Sequence, residues 1–161
     1  MKNQMAKLID KLNKKPRFMR GWLLDFALGS TVKFVGTAGI HCQKLACDEA
    51  IFCLKNRKKV QNHIKGVHAA ASALLAETAT GMIVGMNLPD DKLPLLKSMN
   101  IQYVKRATGS LKAVARLSPE QIEAMFQHEK GDVVVPVAVT DDAGIEPVIC
   151  EMCWAWIPKQ R

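Results

Sequence analysis

The sequence predicts an α+β domain in which an antiparallel sheet wraps around one long apolar helix. Residues 69–88 contain a single charge, Glu77, and a helix that is apolar on nearly every side has to be covered by the rest of the fold. Two predicted strands precede this helix and four follow it. Strands joined mainly by hairpins form antiparallel sheets, so one sheet can curve around the helix.

The composition is that of an ordinary globular domain. Of the 161 residues, 48% are hydrophobic and 24% are charged, and a chain of this length can bury a core without disulfides or bound metals. One domain is therefore expected. The five cysteines are an odd number, and residues 1–15 contain no continuous apolar segment of the signal-peptide kind. Both observations predict a reduced, cytoplasmic protein.

Two helices are predicted before the first strand, at residues 3–14 and 17–28. Apolar residues recur there at helical spacing with basic residues between them, and Pro16 separates the two helices. They are too basic to be buried entirely, so we expect them to pack on the sheet, with attachment to a membrane surface as the lesser alternative. A hairpin of two strands should follow, at residues 40–47 and 50–59.

The long helix is predicted at residues 67–86, and the residues from Asn87 to Asp91 end it. Alternating apolar and polar residues then predict four more strands. Their ranges are 98–106, 110–117, 132–140 and 145–157. A short helix should lie between the second and third of these strands, with Ser118 as its N-cap and Pro119 as its first residue.

The long helix has the length of a membrane span, since about 20 apolar residues suffice to cross a bilayer. It consists mostly of Ala, Gly, Thr and Ser, however, and it carries the Glu77 carboxylate near its middle. A charged group there opposes insertion into lipid. The pattern therefore favours a buried core helix, and no transmembrane segment is expected.

The formal net charge is +8 and is concentrated at the front of the chain. Residues 1–60 hold 13 Lys and Arg against 4 Asp and Glu. Such an excess is compatible with nucleic acid, an anionic membrane surface or a phosphate-bearing ligand, and also with a solvated face that has no partner. Nucleic-acid binding is disfavoured, because the aromatic residues are few and are not interleaved with the basic clusters.

A polar segment precedes the long helix and contains Asn62, Gly66 and His68. It lies at the junction of a strand and a helix N-terminus, where free backbone N–H groups and the helix dipole favour a developing negative charge. The turn can therefore be an oxyanion site. Alternatively, Asn62 and His68 simply satisfy backbone groups at the start of the helix.

Glu77 lies on a helix stripe whose other members, Ala70, Ala73, Gly81 and Gly85, are all small. Small residues allow a ligand or another backbone to come close. The carboxylate is either paired in a salt bridge or available as a general base or nucleophile, with a pKa raised by burial. The spacing alone leaves both alternatives open.

Cys150 and Cys153 form a lone CxxC pair within a predicted strand. Residues three apart on a strand point to opposite faces, and no second pair of ligands completes a zinc site. No metal is therefore expected.

The residues around this helix resemble a known family pattern, in which an Asn lies six residues before a His, small residues follow the His, and an acidic residue lies nine residues beyond it. Asn62, His68, Ala69, Ala70 and Glu77 occupy those positions. The sequence thus resembles the hotdog-fold acyl-CoA thioesterases of the phenylacetate-pathway type, and more closely their relatives known only as a domain of unknown function.

The resemblance extends over residues 34–157 and implies a single hotdog domain within 1–161, with residues 1–30 as an N-terminal helical extension. It also implies roles for individual residues: Glu77 as general base or nucleophile, the Ala69 N–H as the group that polarises the thioester carbonyl, Asn62 as the residue that positions water or substrate, and His68 as the residue that orients the turn. Alanines replace the family's two glycines after the His, and Gly66 lies one position later than the family's glycine.

The substrate implied by the resemblance is an acyl-CoA or an acyl-carrier thioester, in which coenzyme A is part of the substrate and no separate cofactor is needed. Candidate partners for its phosphates are Lys105, Arg106, Arg57 and Lys58. The serine that some relatives place near the carboxylate falls on Leu96 here, and Ser98 follows two residues later on the same predicted face.

The family normally joins two sheets edge to edge, with the substrate tunnel at the interface and the carboxylate approaching from the neighbouring subunit. A homo-oligomer, dimer or tetramer, is therefore expected. The N-terminal helices are then expected to pack on the sheet or to cover the mouth of this tunnel. Because the Ala69-Ala70 pair crowds the turn, a non-catalytic protein that binds acyl thioesters in the same tunnel is an alternative to a hydrolase. A basic nucleic-acid or membrane-surface module is the remote alternative.

Overall fold

The computed structural model describes residues 3–159, apart from the Arg17 side chain, and it has the predicted α+β class. Its helices are α1 (Gln4–Asn13), α2 (Arg17–Thr31), α3 (Lys33–Ala38), α4 (Ala69–Asn87) and α5 (Pro119–Gln127), with a 3₁₀ turn at Lys58–Val60. Its strands are β1 (Ile40–Leu45), β2 (Glu49–Leu54), β3 (Lys92–Tyr103), β4 (Leu111–Arg116), β5 (Gly131–Val135), β6 (Val137–Asp141) and β7 (Val148–Pro158).

The strands form one antiparallel sheet in the order β1-β2-β4-β6-β7-β3, with β5 also paired to β7. The sheet has one more strand than the sequence predicts, because the strand expected at 132–140 divides at Pro136 into β5 and β6. Proline has no N–H to donate to a neighbouring strand, so the ladder is interrupted there. The part before Pro136 pairs with β7, and the part after it pairs with β4.

Two other elements differ from the sequence prediction. Helix α3 is additional, and it ends at Gly39, whose φ of +72° favours glycine. Strand β3 begins at Lys92 rather than at residue 98. The lysine is buried and its ammonium donates to the carbonyls of Met125 and His128, each at 2.7 Å, at the end of α5.

Helix α4 is the core of the fold. Leu75, Ala79 and Ile83 are fully buried against residues of the sheet such as Phe52 and Met152. Among the described residues, α4 alone is long and apolar enough to span a membrane, but more than half of it is buried inside the domain. It therefore serves as the interior helix that the sequence predicts.

The small residues in the C-terminal half of α4 make room for other parts of the protein. The Trp154 ring on β7 lies so close to Gly81 that an added Cβ would meet it at 2.6 Å, and the Trp154 indole N–H donates to Thr80 Oγ1 at 2.9 Å. The sulfur of Met5, on α1, lies 3.2 Å from the corresponding position at Gly85. This end of the stripe is therefore filled by protein side chains.

The N-terminal helices pack on the domain, as expected. Asn3 caps α1 by accepting the Ala6 N–H at 2.7 Å, and its amide donates to the carbonyls of Gly85 and Leu88 at the end of α4. Leu24 and Leu28 form the buried face of α2. Phe18, Trp22 and Phe26, part of the apolar pattern that predicts this helix, are exposed instead.

The two edges of the sheet differ. At the β1 edge, Asp25 of α2 accepts the Cys42 N–H at 2.8 Å, and its second carboxylate oxygen lies 2.5 Å from His41 Nδ1. This contact covers an edge N–H that another strand could otherwise bind. Strand β3, at the opposite edge, is paired on one side only among the described strands.

The close approach of Trp154 predicts different outcomes for two Gly→Ala changes on the same helix. Gly81→Ala should destabilise the protein by about 1–3 kcal/mol, because a buried, hydrogen-bonded ring must move. Gly85→Ala faces a flexible methionine and should be neutral or stabilising by up to about 1 kcal/mol, the usual gain in helix propensity. Denaturant titration would measure both, and equal stability of the two variants would contradict this account of Gly81.

Candidate functional site

The turn before α4 is built by two of the predicted site residues. Asn62 Oδ1 accepts the N–H groups of Ile64 and Gly66 at 3.1 and 3.0 Å. His68 is the N-cap of α4, where its Nδ1 accepts the Ala70 N–H at 3.1 Å. The Asn62 carbonyl and the His68 ring thus satisfy backbone groups of the turn, which is the structural alternative left open by the sequence.

Lys65 has a φ of +62°, in the left-handed region that favours glycine. The resemblance places the family's glycine at this position. Lys65 thus adopts the left-handed backbone conformation that a glycine would adopt easily. For a lysine this conformation costs about 1–2 kcal/mol. Gly66 does not have a positive φ in this structure.

The Ala69 N–H remains available at the start of the helix. Within residues 3–159 no acceptor is bonded to it, although the neighbouring Ala70 and Ala71 N–H groups both have acceptors on His68. Ala69 is exposed and lines a cavity of about 230 Å³. An unpaired N–H at a helix N-terminus is suited to polarise a carbonyl oxygen.

The same cavity brings together five of the predicted site residues. They are Asn62, Gly66, Ala69, Lys105 and Arg106. The two basic residues follow the end of β3, and the Arg106 guanidinium donates to the Ile64 carbonyl at 3.3 Å. The cavity therefore combines a free helix N-terminus with positive charge, an arrangement that suits an anionic ligand.

Tyr103 is a member of this cavity that sequence reasoning missed. Its hydroxyl donates to the Ala69 carbonyl oxygen at 2.8 Å, and burial raises its pKa, which keeps the hydroxyl protonated as a donor. It is the only tyrosine in the chain and it ends strand β3. The alternation of β3 indicated its face, but not its contact with a helix 34 residues earlier in the sequence.

Glu77 lies half-buried on the open part of α4, and burial raises the pKa of its carboxyl group. No hydrogen bond or ion pair reaches this carboxylate from any described residue. The salt-bridge alternative therefore has no support within one chain. An unpaired, partly desolvated carboxylate is suited to accept a proton.

Ala69 and Glu77 lie more than two turns apart on α4. They are separated by eight residues of continuous α-helix, which corresponds to a rise of about 12 Å. A reacting carbonyl has to lie within about 3 Å of its N–H donor. The Glu77 carboxylate therefore does not contact the Ala69 N–H directly, and in one chain water and substrate would have to bridge the two groups.

The expected position of Ser98 is wrong. The register of the β3–β7 pair shifts between Leu96, which lies opposite the buried Trp154, and Ser98, which lies opposite Cys153. This bulge moves Ser98 to the outer face of the sheet, away from α4. A strict two-residue alternation across residues 96–98 could not reveal the shift.

Three further candidates lie outside the 230 Å³ cavity. Arg57 donates to the Gly39 carbonyl at 3.2 Å and lines a separate cavity beside α2 and β1. Lys58 is exposed in the 3₁₀ turn. Ala70 faces a third cavity, which it shares with His68 and residues of α3.

The two cysteines of the CxxC pair point to opposite faces of β7, as predicted. Cys153 lies on the outer face beside Asp132, with 3.9 Å between the sulfur and a carboxylate oxygen. Cys150 lies on the inner face, and burial raises its thiol pKa to about 11. They cannot act as a pair in this fold.

The chain belongs to the family described as a domain of unknown function, DUF4442, whose pattern matches residues 20–157. Its fold is the hotdog fold, as the resemblance implied. No sequence among the curated proteins matches this chain.

Several solved structures share this fold at low sequence identity. One is PA5026 from Pseudomonas aeruginosa, a protein of unknown function described as a probable thioesterase, with a TM-score of 0.75 and 20% identity over 84% of this chain and 95% of that one. Another is the thioesterase HI1161 from Haemophilus influenzae, with a TM-score of 0.68 and 14% identity over 84% and 88% of the two chains. A variant of the thioesterase SAV0944 from Staphylococcus aureus gives a TM-score of 0.67 and 18% identity over 78% and 99%.

The raised pKa of Glu77 predicts how the stability of the Glu77→Gln variant depends on pH. A carboxyl group that is harder to ionise in the folded chain destabilises the fold once it is charged. This effect is absent below the ordinary pKa of 4.5, grows as the pH rises through the raised pKa, and then stays constant. Glu77→Gln should therefore be more stable than the parent at neutral pH, with the difference vanishing in acid.

Urea unfolding at a series of pH values would measure this difference. Glu146→Gln, which changes an exposed carboxylate, is the matched control and should show no such growth with pH. A difference between parent and Glu77→Gln that shrinks as the pH rises would indicate that Glu77 has a cationic partner in solution.

Proposed function

We propose that this protein hydrolyses an acyl-CoA or acyl-carrier thioester at a site shared by two copies of the chain. The observation that carries the proposal is the unpaired, half-buried Glu77 on a helix whose N-terminal N–H is also unpaired. The thioesterases among the structures with the same fold give further support.

In the proposed reaction, the Ala69 N–H of one copy polarises the thioester carbonyl oxygen, and Glu77 of the other copy accepts a proton from the attacking water. The water oxygen forms a bond to the carbonyl carbon. The C–S bond then breaks, and the proton returns from Glu77 to the leaving thiolate. The products are a carboxylic acid and a free thiol, so one water molecule is consumed for each thioester.

The two copies are proposed to meet along β3. This strand is 12 residues long, and the side chains of Met99 and Tyr103 are largely exposed although they lie on the helix side of the sheet. An open edge of this length can pair with another strand, whereas at the β1 edge the Cys42 N–H is already bonded to Asp25. Pairing of two β3 strands about a twofold axis would give the expected homo-oligomer.

Lys105 and Arg106 are the candidates for the phosphates of coenzyme A, because they line the cavity that contains Ala69 and Asn62. Asn62 uses its carbonyl oxygen in the turn, and no described acceptor is bonded to its NH₂ group. That group is available to position water or substrate. Tyr103 would hold the first turn of α4 in place.

None of the five cysteines, which all lie within residues 3–159, forms a disulfide in this structure. This agrees with the cytoplasmic location that we propose, where thiols stay reduced.

A non-catalytic acyl-thioester-binding protein is the second candidate. Two features of the turn favour it: Lys65 has a glycine-type conformation, and Ala69-Ala70 stand where the family has two glycines. Such crowding can preserve binding while it prevents the carbonyl from reaching the N–H group. Binding of acyl-CoA without hydrolysis would identify this case, and Ala69→Gly with Ala70→Gly would test its cause.

Glu77→Gln should keep the fold and thioester binding but lower turnover by about 10²–10⁴, because the amide is nearly isosteric and cannot accept the proton. Asn62→Ala should reduce turnover less, since it removes a positioning group. A panel of acyl-CoA substrates with detection of the free thiol measures both effects. Glu151→Gln on the outer face of the sheet is the control and should retain the parent rate; hydrolysis by Glu77→Gln at the parent rate would falsify the catalytic assignment.

A mixture of two inactive variants tests whether the site is shared. Ala69→Pro removes the N–H at the first helical position, where proline is tolerated, and His68 already has the extended backbone that proline requires of its predecessor. In a dimer of Ala69→Pro with Glu77→Gln, one of the two shared sites is intact. Equimolar mixing with subunit exchange should therefore restore about a quarter of the parent activity.

If each site used groups from one chain only, every site in the mixture would lack a group and no activity would return. Light scattering of the parent at micromolar concentration provides the independent check on association. A monomer there would contradict the shared site even if Glu77 proved essential.

A further inference from the structure

Helix α2 has an aromatic stripe, Phe18, Trp22 and Phe26, that is largely exposed. These side chains are 82%, 66% and 66% exposed, and the rings of Trp22 and Phe26 stack with 5.8 Å between their centres. Residues four apart share one side of a helix, so the three rings form a continuous row. The opposite side of α2 is buried through Leu24 and Leu28.

The aromatic stripe is not needed to seat α2 on the domain. The helix is already held by its buried leucines and by the contacts of Asp25 with His41 and the Cys42 N–H. Exposed rows of large apolar side chains are uncommon on soluble surfaces and mark places where a partner binds.

The N-terminal helices, which include the aromatic stripe, carry an excess of positive charge. The stretch 3–38 contains seven Lys and Arg and two Asp, a formal excess of five positive charges. One of the two acidic residues, Asp25, is engaged with His41. On α1, Lys7 and Lys11 are exposed one turn apart.

We propose that the aromatic stripe docks on an anionic lipid surface. Phenylalanine and tryptophan rings insert at the boundary between headgroups and acyl chains, and nearby lysines bind the negative headgroups. Phe18 and Trp22 border a cavity of about 500 Å³ between α2 and β1 that Arg20 also lines, so apolar rings and a cationic group adjoin, which is the combination that binds an anionic lipid surface. A second copy is a poorer partner, because it would bring two positively charged faces together.

Vesicle binding by the full-length chain tests the proposal independently of any hydrolytic activity. Vesicles made of equal parts phosphatidylcholine and phosphatidylglycerol should sediment the protein, and vesicles of phosphatidylcholine alone should bind it much more weakly. Added salt should reduce the binding, since headgroup charges become screened.

Trp22 provides an internal reporter of docking. Of the three tryptophans in the chain, Trp154 and Trp156 are buried and Trp22 is exposed. Docking should therefore shift the fluorescence of Trp22 to shorter wavelength and make it sensitive to quenching by brominated lipids. In a Trp22→Phe variant both changes should disappear while vesicle binding persists.

Two sets of variants separate the apolar and the charged contributions. Phe18→Gln with Phe26→Gln should weaken partitioning at least about tenfold, whereas Phe126→Gln, at an exposed phenylalanine of α5, should leave it unchanged. Lys7→Gln with Lys11→Gln should weaken it about fivefold for each charge removed. Lys112→Gln with Lys130→Gln gives the same change of net charge at exposed positions outside the N-terminal helices and should have a smaller effect.

The proposal is overturned if the parent fails to sediment with the anionic vesicles at low salt, or if the double phenylalanine variant binds them as well as the parent does. It is also overturned if the aromatic stripe causes self-association instead. In that case the parent would show a mass increase without vesicles that Phe18→Gln with Phe26→Gln abolishes, and no vesicle binding. Unchanged circular dichroism of the variants would show that a loss of binding does not come from unfolding.

Discussion

The structure depends on covering one helix. Because α4 is apolar on nearly every side, its exposure to water would be costly, and sheet, loops and N-terminal helices all contribute to its burial. Other side chains pack most tightly against the C-terminal half of α4, where Trp154 lies against Gly81 and Met5 lies against Gly85. The N-terminal half remains accessible around Ala70 and Glu77. The accessible region of the helix is therefore where ligand chemistry can take place.

The Glu77 carboxylate makes burial of α4 less favourable. A carboxylate in an otherwise apolar helix opposes burial, and the described chain supplies neither a cation nor a hydrogen-bond donor for it. Groups of this kind are often kept for function rather than for stability. The rise of α4 separates Glu77 from the free N–H at the helix start, and the proposed function brings the two groups together from two copies.

The two faces of α2 differ, because one packs on the domain and the other is exposed. One face buries leucines and accepts the Cys42 N–H at the β1 edge through Asp25, whereas β3 has no such contact at its free edge among the described residues. The other face carries the exposed aromatic stripe. The same helix thus limits where a second chain can pair and provides a surface suited to a different kind of partner. Both properties follow from which side of α2 the leucines occupy.

The sequence by itself determined the class of the fold, the central helix and the residues of its first turn, because apolar periodicity and capping are local properties. It also singled out Glu77 as the one charge in an apolar stretch. Tertiary structure alone decided the bulge that turns Ser98 outward, the contact of Tyr103 with Ala69, and the packing of the Trp154 ring against Gly81. Each of these depends on strand register or on packing between distant segments, and such long-range contacts leave no periodic signal in the chain.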